Sequence, residues 1–175
     1  MDKALIDTSI LLEPFTQWKN NEPNYKRRCS ALLRGELQTF SKLYQPTISL
    51  GILGELQLIL LKKEAEGKLL ISQRDIMLTE LDRFFNRCIK IGLTRDTIQL
   101  TNEILSQDPR LEPLDALHIA TAISEGCKTF IFIDYHLKEN VWLHSYIKSK
   151  GLHLTPFNIP ENRDTKRLTD RDFRF

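Results

Sequence analysis

Short apolar runs alternate along the chain with longer stretches in which apolar residues recur every three or four positions. The first pattern is typical of buried strands and the second of helices with one buried face. Strands are predicted at residues 3–6, 45–48, 89–93, 129–133 and 152–154. Helices are predicted at residues 25–44, 50–67, 72–89, 95–107, 113–125 and 136–150, with a helical or irregular segment at 10–15 and a loop at 16–23. Strands that alternate with helices predict an α/β fold with a mostly parallel sheet.

The length of 175 residues fits one ordinary domain with its own hydrophobic core. We expect that domain to span residues 1–157, because residues 158–175 have few apolar side chains and form a charged C-terminal tail. The formal net charge of +2 neither requires nor excludes nucleic acid as a ligand.

The three cysteines are not closely spaced, which argues against a zinc site and against a disulfide framework. The chain enters its first strand without a recognisable signal peptide, and we expect a cytoplasmic protein. The most apolar stretch, residues 50–61, is too short to cross a bilayer, so no membrane association is expected.

Four acidic residues occupy positions at which a carboxylate is costly unless a positive group satisfies it. Asp7 and Asp134 directly follow predicted strands, whose carboxyl ends meet at one edge of a parallel sheet and form its ligand crevice. Asp115 lies in the first turn of a predicted helix, and Glu55 lies in a helix among apolar neighbours. Four converging carboxylates suggest a hard divalent cation, and such a cation suggests phosphate chemistry.

Each of these acids also has a plain structural interpretation. Asp7 can be a helix N-cap, Asp134 a turn residue and Asp115 an acid that stabilises a helix N-terminus. The functional interpretation gains weight because the structural one needs four separate coincidences. Two nearby side chains are accessory candidates on the same terms, since Ser9 can either cap a helix or contact a ligand, and His118 follows Asp115 by three residues.

Four segments, taken in their order along the chain, resemble the PIN domain family and in particular the compact toxin ribonucleases of VapC type. They are residues 5–12 (LIDTSILL), 46–49 (PTIS) ahead of Glu55, 114–122 (LDALHIATA) and 130–137 (FIFIDYHL). The resemblance covers about residues 3–157.

The resemblance implies a single Rossmann-like, three-layer domain in which helices flank a short parallel sheet. It also implies an endoribonuclease that depends on Mg²⁺ or Mn²⁺. On this basis the catalytic residues are Asp7, Glu55, Asp115 and Asp134, with Asp7, Asp115 and Asp134 as cation ligands. Ser9 matches a hydroxyl position beside the first acid. His136 stands where many relatives have a further acid, and it is an accessory candidate that contacts either a phosphate or nothing at the site.

The same resemblance implies RNA as the substrate and an antitoxin protein as a partner. Basic residues that can contact RNA phosphates include Arg27, Arg28, Arg87 and Lys90. The predicted helices 25–44 and 72–89 are candidates for a homodimer or antitoxin interface.

Two alternatives to a ribonuclease follow from the same residues. One is a catalytically silent PIN fold that binds RNA or protein. The other is a different acid-cluster α/β enzyme, such as a phosphatase or a receiver-like phosphoacceptor. The second alternative fits poorly, because a dehalogenase-type phosphatase needs an acid at position 9, where this chain has Ser9.

Overall fold

The computed structural model describes residues 1–16, 24–133 and 135–157. Within these ranges the strands are β1 (Asp2–Ile6), β2 (Tyr44–Ser49), β3 (Ile89–Ile91), β4 (Thr129–Phe132) and β5 (His153–Pro156). The helices are α1 (Thr8–Leu12), α2 (Asn24–Arg34), α3 (Gln38–Leu43), α4 (Leu50–Ala65), α5 (Ile71–Phe85), α6 (Arg95–Gln107), α7 (Pro113–Ser124), α8 (Tyr135–Glu139) and α9 (Val141–Ser149). A short 3₁₀ turn (Glu13–Phe15) follows α1.

The described strands form one parallel sheet in the order β3-β2-β1-β4-β5. The central strands are covered on both faces, since Ala4, Leu5 and Ile6 of β1 are fully buried and every residue of β4 is buried. Strands with two apolar faces are typical of sheets flanked by helices on both sides. The predicted α/β fold with a short parallel sheet is therefore confirmed.

The predicted single helix at residues 25–44 is in fact two helices with a break at residues 35–37. Helix α2 ends at Arg34, and Gly35 follows with a φ of +78°, a left-handed conformation that glycine adopts at helix ends. Helix α3 then begins at Gln38, and Tyr44 already belongs to strand β2. The periodic apolar pattern continued across the break because Leu37 and Phe40 pack against the same core.

The predicted helix at residues 136–150 is also interrupted. Asn140 separates α8 from α9, and its side-chain oxygen accepts a hydrogen bond from the backbone N–H of Leu143 at 3.0 Å. The predicted helix at 72–89 ends earlier, at Phe85, because residues 89–91 pair with β2 as strand β3.

The predicted tail at residues 158–175 and most of the predicted loop at 16–23 lie outside the described residues. The last described residue, Phe157, donates its backbone N–H to the carbonyl of Phe132 at 2.8 Å, so the described chain ends beside β4. No helix in the described part of the chain combines the length and the apolar character needed to cross a membrane.

Candidate active site

Asp7 stands where strand β1 turns into helix α1. Its backbone is extended, and its side chain caps α1 by accepting a hydrogen bond from the backbone N–H of Ser9 at 3.0 Å. The Ser9 hydroxyl also donates to Oδ2 of Asp7 and accepts from the backbone N–H of Ile133 at 3.2 Å. Ser9 therefore fixes the Asp7 carboxylate relative to the end of β4, and its hydroxyl is buried.

Glu55 reaches the same place from the second turn of α4. Its Oε2 accepts a hydrogen bond from the Thr8 hydroxyl and lies 2.9 Å from Nε2 of His118. Thr8 belongs to α1 and His118 to α7, so one carboxylate oxygen joins three helices. Ser49, which caps α4 through the N–H of Ile52, sets where that helix begins after β2.

Three of these side chains form a compact group. Asp7, Glu55 and His118 each offer a ligand atom, and the three atoms all lie within 4.8 Å of one another. Asp7 and His118 are buried, and the Glu55 side chain is 20% exposed. The group sits beyond the carboxyl end of β1, at the edge of the sheet where α/β proteins bind their ligands.

The site is electrostatically strained without a cation. The pKa of Asp7 is raised to about 6, chiefly by burial and also by the charge of nearby Glu55, against the opposing effects of His118 and the Ser9 hydrogen bonds. Burial also acts to raise the pKa of Glu55, but the hydrogen bonds from His118 and Thr8 and the His118 charge outweigh it, so this pKa is lowered. Glu55 is therefore the carboxylate that ionises first.

The contact with Glu55 indicates which ring nitrogen of His118 is the donor. An ionised Glu55 can only accept hydrogen bonds, so the N–H at Nε2 of His118 donates a hydrogen bond to Oε2. Nδ1 is buried and has no hydrogen-bond partner among the described residues. His118 thereby holds Glu55 in place.

Asp115 and His136 lie beside this group rather than in it. In the described part of the chain the ligand atoms that converge are those of Asp7, Glu55 and His118. Asp115 is half-buried, one helical turn before His118 on α7, and it lines an adjoining pocket of about 550 Å³ together with exposed His136. Asp134 lies outside the described residues, so its predicted role stays a prediction.

The four predicted RNA-contacting cations do not share one surface. Arg27 and Arg28 are exposed on α2, and the Arg28 guanidinium lies 4.7 Å from the centre of the Phe157 ring, beyond β5. Lys90 lies on β3, at the opposite edge of the sheet. Arg87 donates to the carbonyl of Leu33 and so ties the end of α2 to the segment after α5.

Thr8 is the site residue that the sequence did not single out. It stands between the two helix-capping candidates Asp7 and Ser9, and it begins helix α1, which Asp7 caps. In the sequence, the one feature that could have pointed to Thr8 is a hydroxyl side chain next to Asp7. Its contact with Glu55 depends on how α1 and α4 cross, which the sequence does not specify.

The donor set suits a hard divalent cation. Two closely spaced carboxylates, one of them held partly protonated by burial, gain most from a positive charge placed between them. Asp7 would hold such an ion with Glu55 next to it, and Asp115 lies one helical turn from His118 on α7.

Three of the solved structures with the same fold come from Rickettsia felis, Haemophilus influenzae and Neisseria gonorrhoeae. VapBC2 from Rickettsia felis, described as bound to a DNA fragment from their promoter, has a TM-score of 0.58 at 19% identity over 89% of this chain and 98% of that one. VapBC-1 from nontypeable Haemophilus influenzae has a TM-score of 0.53 at 14% identity over 88% and 97%. FitAcB from Neisseria gonorrhoeae has a TM-score of 0.51 at 17% identity over 86% and 95%. At these identities the likeness establishes the fold.

The comparison with curated proteins finds no significant match. The family model described as "PIN domain" matches residues 4–142, which include the end of β1, the acidic group and the pocket beside Asp115. The chain belongs to the PIN domain family.

Proposed function

We propose that this protein is a metal-dependent endoribonuclease that hydrolyses RNA phosphodiester bonds. The observation that carries the proposal is the convergence of the Asp7 and Glu55 carboxylates within 4.8 Å at the carboxyl edge of a parallel sheet. Membership of the PIN domain family and the raised pKa of Asp7 support the same function.

The cation is proposed to be Mg²⁺ or Mn²⁺, since both bind carboxylate oxygens. Asp7 and Asp115 are proposed as ligands, with Asp134 as a further one. When bound, the ion lowers the pKa of a coordinated water and stabilises negative charge on the phosphate.

The chain's own residues then have distinct parts. Ser9 aims the Asp7 carboxylate through two hydrogen bonds. Glu55, kept ionised by Thr8 and His118, is the group that can accept a proton from the attacking water. His118 keeps Glu55 in one orientation, so it acts as a positioning residue.

The test is cleavage of a panel of structured and single-stranded RNAs by the purified protein with Mg²⁺, Mn²⁺ or EDTA. Asp115→Asn, which removes a proposed cation ligand, and Glu55→Gln, which removes the proposed proton acceptor, are each expected to lower the rate at least about 100-fold. Asp82→Asn, which changes an exposed acid on α5, is the matched control and should cleave like the wild type.

Two outcomes contradict the proposal. Equal cleavage by the wild type and Asp115→Asn would identify a contaminating nuclease. Absence of cleavage, together with a melting temperature that Mn²⁺ does not raise, would favour a silent RNA- or protein-binding module, because a ligand that binds only the folded state must stabilise it.

We further propose that the protein is the toxin of a toxin–antitoxin pair and forms a homodimer. The named VapBC structures of the same fold support this partner class. Induced expression should arrest growth for the wild type but not for Asp7→Asn, and a co-expressed antitoxin should relieve the arrest. Light scattering of the purified protein tests the dimer.

A groove of about 910 Å³ between the 3₁₀ turn, α2 and α5 is the proposed antitoxin site. Phe15, Leu33 and Ile76 line it, and Arg34 and Arg83 also contribute. An amphipathic helix with acidic flanks complements apolar and basic surface of this kind. Ile76→Glu is expected to abolish antitoxin binding while RNA cleavage continues, and retained binding would place the interface elsewhere.

A further inference from the structure

The pocket beside Asp115 is lined by an aromatic residue and by acids that have no proposed role in binding the cation. Its volume is about 550 Å³, and it lies between the α6–α7 connection and the α8–α9 connection. The indole of Trp142 lines one side, while Glu112 and Glu139 also line it and are exposed. One helical turn separates Asp115 in this pocket from His118 in the acidic group, so a molecule bound here adjoins that group.

Trp142 is a preformed stacking surface. Its ring packs on Tyr146 with centroids 5.2 Å apart and an angle of 13° between the planes. Tyr146 is held in turn by a hydrogen bond from its hydroxyl to Glu103 at 2.7 Å, and the Lys150 ammonium lies 5.3 Å from its ring centre. Trp142 remains 36% exposed, so it can stack on a flat ring with little loss of conformational freedom.

The two walls of the pocket are joined by one buried acid. Asp108 is 4% exposed, accepts from Nδ2 of Asn140 at 2.8 Å and pairs with Arg110 at 3.1 Å. The pocket cation Arg110 is therefore neutralised locally. The exposed carboxylate of Glu139 also lines the pocket, which disfavours a phosphate there and favours an uncharged group with hydrogen-bond donors.

We propose that this pocket binds an unpaired guanine of the RNA substrate, stacked on Trp142 with its donor edge toward Glu139. Guanine presents two adjacent donors, N1–H and the N2 amino group, to the two oxygens of one carboxylate. Adenine, cytosine and uracil each place an acceptor next to their donor and cannot make both bonds. Unstacked bases read on this edge and stacked on aromatic rings are the usual targets of sequence-specific RNA recognition.

This inference rests on the proposed ribonuclease function, because it places the base next to the scissile phosphate. A guanine bound in the pocket would give the cleavage site a preference for one base, which the acidic group alone does not provide.

Binding without cleavage tests the pocket separately from catalysis. The probes are two fluorescein-labelled 2′-O-methyl pentaribonucleotides, one of uridines only and one with a central guanine, titrated in Ca²⁺ and checked for intactness afterwards. We expect the guanine oligomer to bind about tenfold more tightly, within the range that one stacked base contributes. The chain has two tryptophans, so in a Trp18→Phe variant quenching by the guanine oligomer reports on Trp142.

Matched variants connect the preference to its residues. Trp142→Ala and Glu139→Gln should reduce the difference between the oligomers to about twofold or less, since each removes one of the two contacts. Trp142→Phe should retain most of it, and Asp82→Asn should retain all of it.

Equal affinity for the two oligomers, including no detectable binding of either, would overturn the guanine site, as would a preference that survives both Trp142→Ala and Glu139→Gln. The proposed function fails independently: a guanine preference without Mn²⁺- or Mg²⁺-dependent RNA cleavage would leave the binding site and exclude the nuclease. Mn²⁺- or Mg²⁺-dependent cleavage without any base preference would support the nuclease and exclude the guanine site.

Discussion

The buried carboxylate of Asp7 makes the metal-free protein sensitive to pH. Its pKa is raised from 3.8 to about 6, and burial is the largest cause. Between these values the folded chain binds more protons than the unfolded chain, so stability falls as pH rises. The stabilisation that protonated Asp7 provides is complete below pH 3.8 and is lost as pH rises through about 6.

Asp7→Asn is therefore expected to stabilise the metal-free protein at pH 7.5 while abolishing its response to Mn²⁺. The gain should be roughly 1–3 kcal/mol, since one pKa unit corresponds to about 1.4 kcal/mol. Urea denaturation at pH 7.5 and pH 4 measures it, and the difference between the two proteins should shrink at pH 4. A variant that is less stable than the wild type at pH 7.5 would show that Asp7 is not strained.

Thr8→Val tests the hydroxyl that the sequence did not reveal. Loss of the hydrogen bond to Oε2 of Glu55 removes one of the contacts that lower the pKa of Glu55, so its ionisation moves to higher pH. We expect kcat/KM for RNA cleavage to fall about tenfold more at pH 6 than at pH 8, because a hydrogen bond to a charged group contributes about 1.5–3 kcal/mol. Thr8→Ser, which keeps the hydroxyl, should retain the wild-type profile. A superimposable profile for Thr8→Val would exclude this role.

The sequence indicated acids at a strand end and in an apolar helix, but not which side chains satisfy them. Asp7 and Glu55 could be selected because a carboxylate beside apolar residues is costly wherever it lies. The pairing of Thr8 and His118 with Glu55 depends on the packing of α1, α4 and α7, which helical periodicity does not specify. Asp115 was predicted with them and lines the pocket beside the group, so its role at the cation stays a prediction.

At the scale of elements, the sequence predicted the existence of most helices better than their continuity. Leucines and aromatic residues recur at helical spacing through residues 25–44, although Gly35 breaks the helix there. Asn140 was not recognised as an N-cap, because an asparagine within an apolar pattern is also tolerated on a helix surface. Its two hydrogen bonds, to Leu143 and Asp108, interrupt the predicted helix.

Asn140 is expected to stabilise the α8–α9 junction measurably. Asn140→Ala removes the cap of α9 and one partner of buried Asp108, and should lower the free energy of unfolding by about 1–3 kcal/mol. Asn140→Ser keeps a capping oxygen but loses the bond to Asp108, so its loss should be smaller. Urea denaturation compares the three proteins, and equal losses for the two variants would mean that capping contributes nothing.

For the whole molecule, alternation of strands and helices was enough to predict a parallel sheet, but not its order. Strand β1 is central and pairs with β2 on one side and β4 on the other. That order places the end of β1 between the ends of its neighbours, so Asp7 meets Glu55 from the helix after β2. Strand β5 completes the sheet beside β4, with Phe132 opposite Pro156.

The boundary of the folded domain is expected to lie just after Phe157. This residue is 6% exposed, bonds to the carbonyl of Phe132 at 2.8 Å and contacts the Arg28 guanidinium. A chain that ends at residue 157 keeps these contacts, and its free energy of unfolding should stay within about 0.5 kcal/mol of the full chain, as for changes away from packed structure.

The matched control is a chain that ends at Gly151. It lacks β5 and leaves the backbone of β4 unpaired along an edge whose side chains are all buried, so it should lose cooperative unfolding. Circular dichroism melts with and without Mn²⁺ compare the three chains. If the chain ending at residue 157 also melts non-cooperatively, residues 158–175 belong to the folded domain and the predicted boundary is wrong. If it melts like the full chain and responds to Mn²⁺ equally, the cation site is complete within residues 1–157.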